Sequence, residues 1–143
     1  MKILILNGPN LNLIGKREPA IYGDQSLDEF LETVKKRFPE CDIDTFQSNH
    51  EGVLIDKLQE AMDKYDGVVF NPGGYSHTSI ALADTVRAIG IPLVEVHISN
   101  IYEREEYRHH SFVAEAAAYS IVGHGLEGYT EAVAFLLKRN LFH

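Results

Sequence analysis

Five short apolar runs alternate with amphipathic segments along the chain, and this alternation constrains the fold more than any other feature. The runs have the length of strands and cover residues 2–7, 43–47, 67–70, 93–98 and 119–122. The segments between them repeat apolar residues at helical spacing, at 27–38, 53–62, 80–89 and 130–141. Strands that alternate with helices indicate a parallel sheet with helices on both faces.

Residues that cap or end helices agree with this division. Ser26 is placed to cap the first helix, Pro39 to end it, and Gly90 to end the helix over 80–89. The stretch 99–118 has no regular period and is predicted to be a loop followed by a short helix. We therefore predict an α/β, flavodoxin-like fold, with one five-stranded parallel sheet in a single domain over 1–143.

In a sheet of this kind, ligands bind beyond the carboxyl ends of the strands. The predicted ends carry polar and glycine-rich sequences at 7–10, 71–74 and 97–100. These three segments are expected to converge on one rim of the sheet.

Composition and net charge limit the kinds of molecule that the protein is expected to bind. The net charge of −8 argues against nucleic acid and anionic membranes, although basic groups in a cleft still permit a small anionic substrate. Cys41 is the single cysteine, which excludes an intramolecular disulfide and a cysteine-rich metal site. No apolar run approaches the ~20 residues of a membrane span, and the first residues lack the pattern of a signal peptide. A cytoplasmic location is expected.

Several familiar motifs do not fit their context. The segment 123–128 matches GxGxxG, but the chain ends too soon to supply an acidic ribose partner about 20 residues on, so a tight strand-to-helix turn is predicted. The segment 8–16 has the wrong glycine spacing for a phosphate loop. Asn7 and Asn71 stand where a phosphate-accepting receiver domain would need aspartates. His109 and His110 are adjacent and do not form a metal-ligand pair.

The long loop after the first strand is a candidate lid. Gly15 and Gly23 bracket it, and between them lie Arg17 and Tyr22. A guanidinium beside a phenol favours tyrosinate and lowers the tyrosine pKa, which makes Tyr22 a candidate base. The alternative is a tyrosine that packs on the domain surface with an unrelated arginine nearby.

His97 ends the fourth predicted strand and is a candidate proton donor or acceptor. Glu95 lies on the same face of that strand, two residues earlier, where it can orient polar neighbours. The alternative is a strand-end histidine bonded to solvent.

Four segments together resemble the type II 3-dehydroquinate dehydratases. They are GPNLNLIGKREP at 8–19 with Tyr22 and Gly23, NPGGYSHTS at 71–79, EVHISN at 95–100 and REEYRHHS at 104–111. Ile14, Gly74, Ser76 and His124 depart from the family pattern, which more often has Leu, Ala, Thr and Leu there. None of the four is at a position to which the resemblance assigns catalysis.

The resemblance implies conversion of 3-dehydroquinate to 3-dehydroshikimate, in the shikimate pathway of aromatic amino-acid biosynthesis, by enolate-type elimination of water. It implies that Tyr22 is the base, that Arg17 keeps Tyr22 ionised, and that Asn10 with the backbone near Gly73 holds a water on the enolate. His97 would protonate the departing hydroxyl. No metal, cofactor or covalent intermediate is implied.

The resemblance also implies a set of substrate-binding residues and an assembly. Asn71, His77 and Arg108 would bind ring hydroxyls, Ile98 and Ser99 the carboxylate, and Asp84 would enter the site from a neighbouring subunit. The implied assembly is a homododecamer built of trimers.

Two other classes of function remain open at this stage. One is a flavodoxin-like module that binds FMN or another phosphate ligand, which would make the purified protein yellow. The other is a non-enzymatic oligomeric scaffold, which would tolerate the loss of Tyr22 and His97.

Tyr22→Phe keeps the ring and removes only the ionisable oxygen. If Tyr22 is the base, turnover falls by at least the ~10²–10⁴-fold that general-base catalysis supplies, and the fold survives. Turnover is measured beside circular dichroism. A well-folded variant with near wild-type turnover would remove Tyr22 from the mechanism and direct the search for the base to His97 or Glu18.

Overall fold

The computed structural model describes residues 1–15 and 25–141, and its centre is a five-stranded parallel sheet. The strands are β1 (Lys2–Asn7), β2 (Asp42–Gln47), β3 (Gly67–Asn71), β4 (Leu93–His97) and β5 (Tyr119–Val122). Their order is β2-β1-β3-β4-β5, and every neighbouring pair is parallel. The predicted flavodoxin-like order is therefore confirmed.

Five α-helices accompany the strands in the described ranges. They are α1 (Leu27–Arg37), α2 (Glu51–Lys64), α3 (Ile80–Ile89), α4 (Phe112–Ala116) and α5 (Glu127–Leu141). Short 3₁₀ turns follow β1, β3 and β4. None of the helices described is long and apolar enough to cross a membrane.

The alternation of side chains along β1 divides the core into two layers. Ile3 and Ile5 face a layer that contains residues of α1 and α5, whereas Leu4 and Leu6 face a layer that contains residues of α2, α3 and α4. Every residue of β3 and β4 is buried. Both faces of the sheet are thus covered by helices, as the pattern predicted.

Helix ends were mostly predictable from single residues. The Ser26 hydroxyl accepts a hydrogen bond from the Glu29 N–H at 3.2 Å, and Gly90 ends α3 with φ +70°. The structure differs at the start of α2 and α5, which begin two and three residues before the predicted 53 and 130. The first two residues of α2, Glu51 and Gly52, are not apolar, so periodicity does not reveal them, whereas Tyr129 in the first turn of α5 does continue the apolar spacing of that helix. The irregular stretch 99–118 contains two 3₁₀ turns and then α4, as expected.

The loops after β1 and β3 pack directly on each other. The Gly8 N–H donates to the Asn71 carbonyl at 2.7 Å, and a Cβ on Gly8 would lie 2.5 Å from the Pro72 carbonyl oxygen. Gly73 has φ +60°, and a Cβ there would lie 3.1 Å from the Pro9 carbonyl oxygen. Only glycine permits so close an approach of two backbones.

The first four residues of the GxGxxG segment form the predicted turn between β5 and α5, and its last two, Glu127 and Gly128, belong to α5. Gly123 and Gly125 have φ of +82° and +64°, and Gly128 lets α5 approach Val96 of β4. His124, which departs from the family pattern, contacts the Glu131 carboxylate at 2.6 Å on the surface.

Candidate active site

A cavity of about 240 Å³ lies at the carboxyl ends of β1, β3 and β4 in the described part of the chain. Its walls come from the loops that follow these three strands and from the 3₁₀ turns after β4. The residues that line it are Pro9, Asn10, Leu11, Ile14, Asn71, Gly73, Gly74, His77, His97, Ile98, Ser99, Ile101, Arg104 and Arg108. The cavity is at the rim where a parallel sheet of this order is expected to bind its ligand.

Seven of the ten residues named as candidate site residues line this cavity: Asn10, Asn71, His77, His97, Ile98, Ser99 and Arg108. Asp84 does not, because it lies on α3 with a side chain that is 71% exposed and 3.6 Å from Arg87. Arg17 and Tyr22 lie outside the described residues. The structure thus brings together the residues from the loops after β1, β3 and β4.

Asn10 has an unusual backbone conformation that its neighbours hold in place. Its φ is +69°, and no other non-glycine residue among those described has a positive φ. The Asn10 N–H donates to the Asn49 side-chain oxygen at 3.1 Å. Asn49 in turn accepts from Gln47 at 3.0 Å and, through its carbonyl, from the Tyr75 hydroxyl at 2.8 Å. Residues from the loops after β2 and β3 therefore hold the Asn10 backbone in this conformation.

His97 is buried beside the carboxylate of Glu95, which is completely inaccessible to solvent. The His97 Nε2 lies 3.1 Å from a Glu95 oxygen and 3.2 Å from the Ser76 hydroxyl. Because a carboxylate can only accept, Nε2 carries a proton. In the neutral ring, Nδ1 is then the basic nitrogen, and it is the atom that can exchange a proton with a ligand.

Three serine hydroxyls surround the same carboxylate. Ser76 donates to it at 2.8 Å, Ser111 at 2.5 Å and Ser120 at 3.0 Å. Ser76 and Ser111 also contact each other. A buried charge of this kind is tolerated because hydrogen-bond donors replace its lost water.

The result is a buried glutamate that stays ionised. Burial alone would raise the pKa of the Glu95 carboxyl, but the histidine and serine donors outweigh it and bring that pKa below its ordinary value. An ionised Glu95 accepts from the His97 Nε2 and so fixes the tautomer of the neutral ring.

His77 lies beside His97 in the same cavity, with the two rings stacked at a centroid distance of 5.9 Å. Its Nδ1 lies 2.8 Å from the His110 carbonyl oxygen, which can only accept, so Nδ1 carries the proton. Burial first, and then the charges of His97 and Arg108, lower the pKa of His77. Neutral His77 therefore offers Nε2 as a hydrogen-bond acceptor.

The charged side chains that line the cavity are basic. Arg108 and Arg104 line it, and no aspartate or glutamate does so among the described residues. The Arg108 Nε donates to Glu105 at 2.5 Å, and this bond raises the pKa of the guanidinium. A chain of net charge −8 thus presents local positive charge to a small anion.

Sequence reasoning missed several residues that support the site. The two-residue spacing of Glu95 and His97 was a usable signal, and the expectation that Glu95 orients its neighbours agrees with the contacts. Ser111 and Ser120 come from distant segments with no pattern that ties them to a strand-end histidine. Asn49 likewise had no signal, and Arg104, although it begins the segment REEYRHHS, was not named as a site residue.

Comparisons with known proteins agree with this geometry. The family model described as dehydroquinase class II matches residues 1–137. A 3-dehydroquinate dehydratase from Bacillus pumilus is 55% identical over 138 residues, covering 94% of this chain and 93% of the relative. One from Clostridium botulinum is 54% identical, covering 95% and 94%. The crystal structure of type II dehydroquinase from Butyrivibrio crossotus superposes with a TM-score of 0.93 at 44% identity, covering 96% and 97%.

The buried carboxylate predicts a specific dependence of stability on pH. Because the pKa of folded Glu95 is below the ordinary 4.5, its ionisation stabilises the fold above pH 4.5, and this contribution is lost as the pH falls through the lower, folded pKa. Glu95→Gln should lower the unfolding free energy at pH 7 by roughly 1–3 kcal/mol. The difference between wild type and variant should shrink below pH 4.5.

Urea unfolding from pH 7 to pH 3 measures this difference. Glu32→Gln is the matched control, since Glu32 is exposed and makes only a surface pair with Lys35. A Glu95→Gln difference that is constant down to pH 3 would show that folding does not lower the pKa of the Glu95 carboxyl.

Proposed function

The chain belongs to the dehydroquinase class II family, and we propose how its cavity carries out the family reaction, the dehydration of 3-dehydroquinate to 3-dehydroshikimate. This reaction is a step of the shikimate pathway. The observation that carries the proposal is the cavity at the ends of β1, β3 and β4, where a buried histidine–carboxylate pair meets a cluster of basic and amide side chains.

The first step is removal of a proton from the carbon next to the substrate ketone. We assign it to Tyr22, with Arg17 holding the phenol in its ionised form. The support is position in the chain: Asn10, Leu11 and Ile14 line the cavity, and the chain continues from Gly15 into the segment that carries both residues. A tyrosinate is a stronger base than a carboxylate, as a poor carbon acid requires.

The enolate that results needs donors on its oxygen. Asn10 and the backbone near Gly73 are proposed to hold a water there. Both lie on the two loops that pack backbone to backbone, so the donors are positioned before the substrate arrives. Preorganised donors of this type contribute about 3–4 kcal/mol each to transition-state stabilisation.

The second step is loss of the hydroxyl. The electron pair of the enolate forms the new carbon–carbon double bond as the carbon–oxygen bond breaks, and His97 gives a proton to the departing hydroxyl, which leaves as water. Nδ1 is the proposed donor atom, because Nε2 is held by Glu95. For this step both ring nitrogens of His97 carry a proton, and Nε2 stays bonded to Glu95 while Nδ1 gives its proton up.

Substrate binding is proposed for the remaining polar lining residues. Asn71, His77 and Arg108 would bind ring hydroxyls, with His77 as an acceptor through its unprotonated Nε2. Ile98 and Ser99 would bind the carboxylate on the loop after β4. The basic lining residues favour an anionic substrate.

The two alternative functions are not favoured. A module that only binds FMN, or a scaffold without activity, does not account for a family match over residues 1–137. Neither accounts for a buried, ionised glutamate that sets the tautomer of a histidine in the cavity.

Assembly and location are further parts of the proposal. Asp84 is exposed on α3, away from the cavity of its own chain, so it is available to a neighbouring subunit. We propose a homododecamer that is built of trimers, in which Asp84 completes the adjacent site. A cytoplasmic location, with neither nucleic acid nor membrane as a partner, fits the acidic net charge and single cysteine.

The assembly has a direct test. Analytical ultracentrifugation should show a large oligomer whose trimer unit is needed for activity, and Asp84→Asn should lower activity without altering the cavity of its own chain. Arg87→Gln removes the other member of the same surface pair and is the control. A fully active monomer would contradict the proposal.

The reaction itself is tested by mixing the protein with 3-dehydroquinate and following the absorbance of the conjugated enone carboxylate. Borohydride added with substrate, and EDTA, should both leave the enzyme active, since the proposed route uses neither a Schiff-base lysine nor a metal. No absorbance rise at micromolar enzyme would refute the function. Inactivation by either reagent would refute the mechanism.

A further inference from the structure

A buried tyrosine outside the proposed mechanism contacts Asn71, one of the residues that line the cavity. Tyr129 lies in the first turn of α5 and is completely inaccessible to solvent. Its hydroxyl lies between the ends of β1 and β3, where it contacts the side chains of Asn7 and Asn71. Gly128 makes this reach possible, because it lets α5 approach the sheet.

The direction of each hydrogen bond around Tyr129 follows from chemistry. The Gly73 N–H can only donate, and it lies 3.1 Å from the Asn71 Oδ1. The Asn71 Nδ2 therefore points the other way, and it donates to the Tyr129 hydroxyl at 3.0 Å. The hydroxyl has one proton, which it donates to the Asn7 Oδ1 at 2.6 Å.

These hydrogen bonds form a relay that runs from Asn71 through Tyr129 to Asn7. The relay holds the amide of Asn71, which lines the cavity. Both polar ends of the Asn71 side chain have a defined partner, so the amide is held in one of its two orientations. Asn71 keeps a second N–H and a second lone pair, with which it can donate to and accept from one hydroxyl group. A hydroxyl on a polar ring is a ligand of that chemistry.

We propose that Tyr129 is a positioning residue that, as the second anchor beside the Gly73 N–H, holds the Asn71 amide in place and thereby sets the affinity for the substrate hydroxyl. This inference rests on the proposed function, in which Asn71 binds substrate. It also gives a role to Asn7, the asparagine at the end of β1, which accepts the last hydrogen bond of the relay.

Tyr129→Phe removes the central hydroxyl and retains the ring in the core. The Asn71 amide then loses one of its two anchors, and misplacement of a binding group costs up to ~10²-fold in rate. We expect kcat/KM to fall by about tenfold or more, mainly through a higher KM. A variant that was only partly folded would instead show a lower apparent kcat at an unchanged KM.

A double-mutant cycle separates the relay from a general effect on packing. Asn71→Ala removes the group on which Tyr129 acts, so adding Tyr129→Phe to it should change kcat/KM by less than about twofold. Tyr65→Phe is the matched control: its hydroxyl donates to Asp44 at 2.6 Å, and Tyr65 precedes β3, at the opposite end of the sheet. Its KM should equal that of wild type.

The possible outcomes are distinct. Additive effects of Tyr129→Phe and Asn71→Ala, or an unchanged KM in Tyr129→Phe, would overturn the relay while the dehydratase function stands. If Tyr129→Phe does not fold, Asn7→Ala is the alternative variant, because it removes the final acceptor of the relay. Its KM should be higher than that of wild type, and an unchanged KM would overturn the relay.

Failure of the proposed function would look different, because wild type would then not convert 3-dehydroquinate at all. In that case crystal structures of wild type and Tyr129→Phe test whether Tyr129 positions Asn71. The Asn71 side chain should be displaced in Tyr129→Phe relative to wild type, because only the Gly73 N–H still holds it, and an unchanged position would overturn the proposal.

Discussion

The parallel pairing of β1 with β3 at the centre of the sheet is the constraint on which the rest of the site depends. It places Asn7 opposite Asn71, so that both strands end at the same level. The loops that follow must then share a small volume, and Gly8 and Gly73 allow their backbones to touch. β4 ends beside them and contributes His97. A cavity with amide, histidine and arginine side chains results from where these strands stop.

The second constraint is the charge buried below that cavity. A carboxylate without water is costly unless donors replace its solvation, and Glu95 receives three serine hydroxyls and a histidine N–H. Those serines come from the loop after β3, the start of α4 and β5. One charge thus connects three separate segments, and the same contacts fix which nitrogen of His97 is free to transfer a proton.

The sequence predicted the fold class and strand order because the alternation of apolar runs and helical periods reflects burial on the two faces of one sheet. It also predicted the rim, since His97 ends an apolar strand and Asn10 lies a few residues beyond another. It could not predict Ser111 and Ser120 as partners of Glu95, because side-chain contacts between distant segments leave no local period. Nor could it predict that Tyr129, which lies just before the predicted helix over 130–141, places its hydroxyl against Asn71. The start of α2 was misplaced because its first two residues are glutamate and glycine, and the start of α5 because residues 123–128 were taken to be a turn.

The central claim is that dehydration takes place in this cavity with His97 as the proton donor to the leaving hydroxyl. Turnover of 3-dehydroquinate by His97→Ala tests it most directly, with His124→Ala as the control because His124 is an exposed histidine remote from the cavity. The account predicts that His97→Ala loses ~10²–10⁴-fold in kcat while it remains folded, and that His124→Ala turns over like wild type. A folded His97→Ala enzyme with near wild-type kcat would contradict it.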